Sequence, residues 1–219
     1  MFKAVIFDLD GVLVDTAKYH FICWKRLANS FGIDFDEAFN QSLKGVSRMD
    51  SLNRILEKGG VEKTDAEKDL LAEQKNTWYM ECLEQLSHDE LFEGSEETLR
   101  MLRQNGFKTA LGSASKSGHF VLTKLGIDQL FDAIVDGNDV TNSKPNPEVF
   151  LTGASRLSVE ASECAVLEDA PAGIQAAKAG GMLAIGVGPE VLEGDYHLED
   201  LKNPSALIEL LKHGQVPQS

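Results

Sequence analysis

Four short segments carry side chains that could do chemistry. Asp8 and Asp10 stand two apart in Phe7-Asp8-Leu9-Asp10-Gly11, so in an extended segment both carboxylates face the same way, and Gly11 permits a sharp turn after them. Glu168-Asp169 is a second acidic pair. If the fold brings the pairs together, four carboxylates share one small volume and cannot all stay ionised without a cation. Oxygen donors with no His or Cys suit Mg²⁺. Ser113-Ala114-Ser115-Lys116 offers hydroxyls and backbone N–H groups for a phosphate, and Lys144 in Ser143-Lys144-Pro145 offers a positive charge. Carboxylates with a metal, a serine turn and a lysine together spell phosphoryl transfer. Each piece alone has an ordinary reading. Asp-x-Asp-Gly is a common turn, Glu-Asp before Ala-Pro a helix N-cap, and Lys-Pro a loop. The argument rests on their joint placement.

That placement is legible in the surrounding pattern. Phe2 to Leu9 is apolar on both faces, as in a central parallel strand, and ends at the first acidic pair. The spacing predicts further strands over 108–111, 133–135, 164–167 and 183–187. Helices are expected over 95–105, 117–125, 147–157, 171–179 and 204–212. Strands alternating with helices imply an α/β fold, a Rossmann-like parallel sheet with right-handed crossovers. In such a sheet the reactive edge lies at the carboxyl ends of the strands. The two acidic pairs, the serine turn and the Lys144 loop all follow strands. Between Asp34 and Ser87 the chain reads as helices only, after a helix over 16–31 that puts Thr16, His20 and Trp24 on one face. The expected organisation is therefore an α/β core of residues 1–15 and 88–219, with an inserted helical domain of residues 16–87.

Composition narrows the partners. The 219 residues carry 21 Lys and Arg against 35 Asp and Glu, a formal charge of −14. Residues 16–87 account for −2 and the rest for −12, so the acidity sits in the sheet portion. This argues against nucleic acid and against anionic membranes. No apolar run approaches a membrane span, and Asp8 and Asp10 interrupt the only candidate leader. Three widely spaced cysteines, Cys23, Cys82 and Cys164, fit neither a disulfide framework nor a zinc site and suggest a reduced, cytoplasmic setting.

These motifs carry a family resemblance. The order Asp8-Leu9-Asp10-Gly11-Val12-Leu13-Val14-Asp15-Thr16, then Ser113, then Lys144-Pro145, then Glu168-Asp169 resembles the haloacid dehalogenase (HAD) superfamily of Asp-nucleophile phosphotransferases, over essentially the whole chain. The helical insert resembles the small cap of that superfamily's first subclass. Asp15 to Phe21 with Trp24, Leu43 to Arg48, and Ser113 to Lys116 are similar to the branch that moves a phosphoryl group between two hydroxyls of one sugar. Ser117 and Ala170 depart from that branch, where Asn and Ser are expected.

The resemblance implies a mutase that interconverts β-D-glucose 1-phosphate and glucose 6-phosphate through β-glucose 1,6-bisphosphate. A sugar-phosphate phosphatase is the alternative. It implies that Asp8 is the nucleophile, Asp10 the general acid and base, and Ser113, Lys144 and the Ala114 N–H the holders of the transferring phosphate. One Mg²⁺ would be bound by Asp8, the Asp10 carbonyl, Asp169, and Glu168 in or beside its coordination. Arg48 with Ser115, Lys116 and Ser117 would take the distal phosphate. Thr16, His20, Trp24, Gly45, Val46, Ser51 and Lys75 would shape the sugar pocket or support closure, with hinges near Val14 to Thr16 and Ser87 to Leu91. A monomer is expected. Several of these residues have plainer readings: Trp24 and Val46 as packing, Lys75 as one more solvated charge, His20 as a satisfied structural histidine.

Overall fold

The computed structural model describes residues 1–43, 46–189 and 193–213. Contacts divide the chain into two compact units, Met1–Asp15 with Ser87–Ser219, and Thr16–Leu86. Ser87 falls with the first unit.

The first unit is a six-stranded parallel sheet. Its strands are β1 (Ala4–Phe7), β2 (Lys108–Gly112), β3 (Ala133–Val135), β4 (Cys164–Glu168), β5 (Leu183–Val187) and β6 (Tyr196–Leu198). Their spatial order is β3-β2-β1-β4-β5-β6, so the order reverses between β1 and β4. Ligands in open α/β sheets bind in the crevice at such a reversal, outside the carboxyl ends of the strands. The register Phe7↔Leu167 makes β1 and β4 neighbours, and the Asp8 N–H extends the ladder to the Leu167 carbonyl at 2.9 Å. All four residues of β1 are buried, as the double-sided apolar pattern requires of a central parallel strand. Ile6, Val166, Phe150, Val149 and Ile174 belong to one core cluster on the sheet.

Helices of this unit are α5 (Ser95–Gln104), α6 (Gly118–Leu125), α7 (Glu148–Leu157), α8 (Pro171–Ala179) and α9 (Pro204–His213). In sequence, α6 through α8 each follow a strand's carboxyl end, so the loops that open them lie along the reactive edge. Strand β6 was not expected. It is three residues of mixed exposure at the sheet edge, and Tyr196-His197-Leu198 has no apolar run to announce it.

Among its described residues the second unit has helices and no strand: α1 (Ala17–Ser30), α2 (Glu37–Gln41), α3 (Arg48–Lys58) and α4 (Asp65–Glu84). A capping box starts α4, with Thr64 and Glu67 satisfying each other's backbone N–H groups. Trp24, Leu27, Phe35, Leu52 and Ile55 lead its core. No helix among the described residues is long and apolar enough to cross a membrane.

Candidate active site

The site in the sheet unit starts from two adjacent strand ends. Asp8 leaves β1 and Glu168 ends β4, both buried. Lys144 lies between them. Its Nζ donates to Asp8 Oδ1 at 2.6 Å and to Glu168 Oε1 at 2.7 Å, and it sits 4.7 Å over the Phe150 ring of α7. Burial opposes the Lys144 charge, but the Asp8 and Glu168 carboxylates overcome it and hold its pKa above the ordinary lysine value. Burial and the nearby Asp8 charge push Glu168 upward despite Lys144. Its other oxygen, Oε2, accepts the Ala170 N–H at 2.7 Å. The Lys144–Pro145 peptide is cis.

Asp8, Glu168 and Asp169 each offer a carboxylate oxygen, and these oxygens lie within 4.8 Å of one another. A cluster of hard oxygen donors without His or Cys fits Mg²⁺. Two glycines make the approach possible. At Gly11, φ is +82°, and a Cβ there would collide with the Asp169 carboxylate. A Cβ at Gly173, in the first turn of α8, would strike the Glu168 carboxylate. The Asp10 carboxylate is not in the cluster; Asp10 is half-buried and its backbone bridges to Val14.

The serine turn closes the other side of β1. The Ser113 N–H donates to the Val135 carbonyl at 3.1 Å, and Ser113 Oγ accepts the Ser115 N–H at 3.1 Å. Ser115 Oγ in turn accepts the Ser117 N–H at 3.3 Å. Ala114 and Lys116 are exposed, whereas Ser113 and Ser117 are buried. Ser117 precedes α6 without capping it through its side chain. Ala170 likewise precedes α8 with no side-chain cap.

The helical unit gathers a second set. Lys75 is 2% exposed, so it is not a solvated charge. Its Nζ contacts His20 Nδ1 at 2.7 Å and lies 4.7 Å from the centroids of both Trp24 and Tyr79. His20 stacks on Tyr79 at 4.0 Å, and the Tyr79 hydroxyl donates to Thr16 Oγ1 at 3.3 Å. Burial pulls the Lys75 ammonium down to about 7, and Arg48 adds to the effect. Burial, then Lys75, then Arg48 hold His20 well below its ordinary value. A charged Lys75 has only donors, so Nδ1 accepts and the neutral ring keeps its proton on Nε2. Arg48 opens α3 and donates to Asn76 Oδ1 at 2.7 Å. Ser51 is buried one turn on, and Val46 is half-buried. Gly45 lies outside the described residues. Asn76 and Tyr79 escaped the sequence reading, although Tyr79 stands at i+4 from Lys75 and so shares its helix face.

Comparisons with known proteins find relatives over most of the chain. The family profile for haloacid dehalogenase-like hydrolases matches residues 5–187. A protein of Bacillus subtilis named beta-phosphoglucomutase is 45% identical over 188 residues, 85% of this chain and 83% of its own. A Thermotoga maritima phosphorylated carbohydrates phosphatase is 30% identical over 218 residues, covering 96% of this chain and 98% of its own. The crystal structure of a Clostridium difficile beta-phosphoglucomutase superposes with a TM-score of 0.91 at 39% identity, covering 98% of this chain and 99% of that one.

Proposed function

This chain belongs to the haloacid dehalogenase-like hydrolases, and from that premise we propose that it is a phosphomutase interconverting β-D-glucose 1-phosphate and glucose 6-phosphate. The observation that carries the choice of a mutase is the 45% identity to the Bacillus subtilis relative of that name. Phosphatases appear among the relatives at 30% identity.

Asp8 attacks phosphorus, the bond from phosphorus to the sugar oxygen breaks, and Asp10 gives that oxygen its proton. In the other direction Asp10 takes the proton of a sugar hydroxyl as the oxygen attacks the phosphoryl group on Asp8. Bound at C1 and C6 in turn, β-glucose 1,6-bisphosphate is the intermediate that links the two monophosphates. Lys144, Ser113 and the Ala114 N–H hold the phosphoryl oxygens during transfer. One Mg²⁺ is assigned to Asp8, Asp169, Glu168 and the Asp10 carbonyl, where it would supply charge stabilisation to those oxygens. Arg48, with Ser115, Lys116 and Ser117, is assigned to the phosphate that does not react, because a guanidinium binds phosphate through two parallel N–H bonds. Thr16, His20, Trp24, Gly45, Val46, Ser51 and Lys75 are assigned to recognition of the sugar and control of water. The setting is a cytoplasmic monomer with a small anionic substrate.

The test supplies β-glucose 1-phosphate, Mg²⁺ and a trace of bisphosphate, and measures glucose 6-phosphate and free phosphate together. Conversion without matching phosphate release is expected, and Asp8→Asn should abolish it. Phosphate release at the rate of sugar turnover would make the protein a phosphatase instead.

A further inference from the structure

Lys144 reaches the centre of the site from a loop, and loops are poor at holding a charge to a fraction of an ångström. Something must fix this one. The Lys144 ammonium contacts two carboxylates and an aromatic face, which fixes its tip but not its backbone. The backbone is held by Glu148, the first residue of α7. Glu148 Oε1 accepts the Thr141 N–H at 2.9 Å. Its Oε2 accepts the Asn142 N–H at 2.9 Å and the Asn142 side-chain amide at 2.8 Å. Glu148 thus ties down the loop on the incoming side of Lys144, at Thr141 and Asn142. On the returning side, Asn146 Oδ1 accepts the Glu148 N–H at 3.0 Å.

The turn that holds the loop is itself rigid. Val149 and Phe150, next along α7, are buried in the sheet core. Phe150 also lies under the Lys144 ammonium. The Glu148 carboxylate is directed at the loop amides, and these bonds hold its pKa below the usual carboxylate value, the Thr141 N–H first. A carboxylate committed in this way does not serve as a proton carrier. Its nearest chemical consequence is where Lys144 stands.

We propose that Glu148 is a positioning residue for phosphoryl transfer, acting through Lys144 by clamping the 141–144 loop to α7. The proposal rests on the reading that Lys144 holds the transferring phosphoryl group. Displacements near 1 Å at a reacting centre cost on the order of 100-fold in rate. Glu148→Ala should therefore lower kcat by at least about tenfold while KM for the sugar phosphate stays within about threefold. Glu148→Asp, which keeps the acceptors on a shorter arm, should restore most of kcat.

Three measurements separate positioning from mere folding. Glu148→Ala in a Lys144→Ala background should change the residual rate by less than about twofold, because the group it positions is gone. Arg156→Gln removes another anchor of α7, the pair with Asp139, and should leave kcat unchanged. Thermal unfolding shows whether each variant is folded, and the isosteric Glu148→Gln replaces Glu148→Ala if the latter is not. Unchanged kcat in Glu148→Ala, an equal loss in the Lys144→Ala background, or an equal loss in Arg156→Gln would overturn the proposal. Wild-type mutase turnover is measured alongside. If it is absent, the mutase reading fails, and the same variants are compared on p-nitrophenyl phosphate hydrolysis, where an unaltered rate for Glu148→Ala would overturn the proposal separately.

Discussion

At the scale of single residues, the site is defined as much by missing atoms as by functional groups. Gly11 combines a φ of +82° with a packing position in which a Cβ would enter the Asp169 carboxylate. Gly11→Ala should therefore weaken metal-dependent activity more than it weakens the fold. The left-handed conformation costs an alanine on the order of 1 kcal/mol, while the displaced carboxylate raises the Mg²⁺ concentration needed for half-activity by about tenfold or more. A Mg²⁺ titration of initial rates checks this, and a wild-type midpoint would show that the loop absorbs the methyl without moving Asp169. The residue types of the sheet site were legible because Asp8 and Glu168 follow apolar runs that mark strands, while Lys144 lies in the loop after the third such run. Glu148 was not legible. An acid in the first turn of a helix is ordinary, and nothing in the sequence says that its carboxylate folds back to a loop.

At the scale of elements, pairing decided what periodicity could not. Alternation of runs predicted five of the six strands, but the adjacency of β1 and β4 is a tertiary fact that brings Asp8 and Glu168 onto one lysine. The helical unit shows the opposite limit. The polar, featureless pattern of α4 left a solvated charge open for Lys75 beside its expected place at the sugar pocket, and packing against α1 buries it between Trp24, Tyr79 and His20. Burying that ammonium lowers its pKa from 10.5 to about 7. The folded protein then binds fewer protons than the unfolded chain between those two values, so this lysine destabilises the fold fully below pH 7 and progressively less as pH rises toward 10.5. The shift corresponds to a cost on the order of 5 kcal/mol at low pH. Lys75→Met should be more stable than wild type near pH 6.5, by less than that figure because His20 Nδ1 loses its partner. The advantage should vanish by about pH 10. Urea unfolding at several pH values measures the difference, and a gap that does not change with pH would contradict the buried-cation account.

At the scale of the whole molecule, charge and connectivity follow the same division. The sheet portion carries nearly all of the excess acid, yet at its centre Lys144 offsets part of the charge of Asp8 and Glu168. A net negative field works against extended polyanions more than against a small phosphate, whose surroundings are set within a few ångströms.

The order of strands also sets an order in time. Strand β1 precedes the rest of its sheet in sequence and lies inside it, because Ala4 pairs with Lys108 on one side and Cys164 on the other. Its partners lie far along the chain, at Lys108 and at Cys164, whereas the helices of residues 16–86 contact one another at shorter range. Loop closure over such separations is slow, and local helical contacts are fast. On refolding, amides of α1, α3 and α4 should gain protection from hydrogen exchange before those of Val5 to Phe7. Simultaneous protection, followed by pulse labelling and mass spectrometry, would mean that the sheet nucleates without waiting. Until β2 forms, β1 is an unpaired apolar strand, and for that interval its edges are open to aggregation.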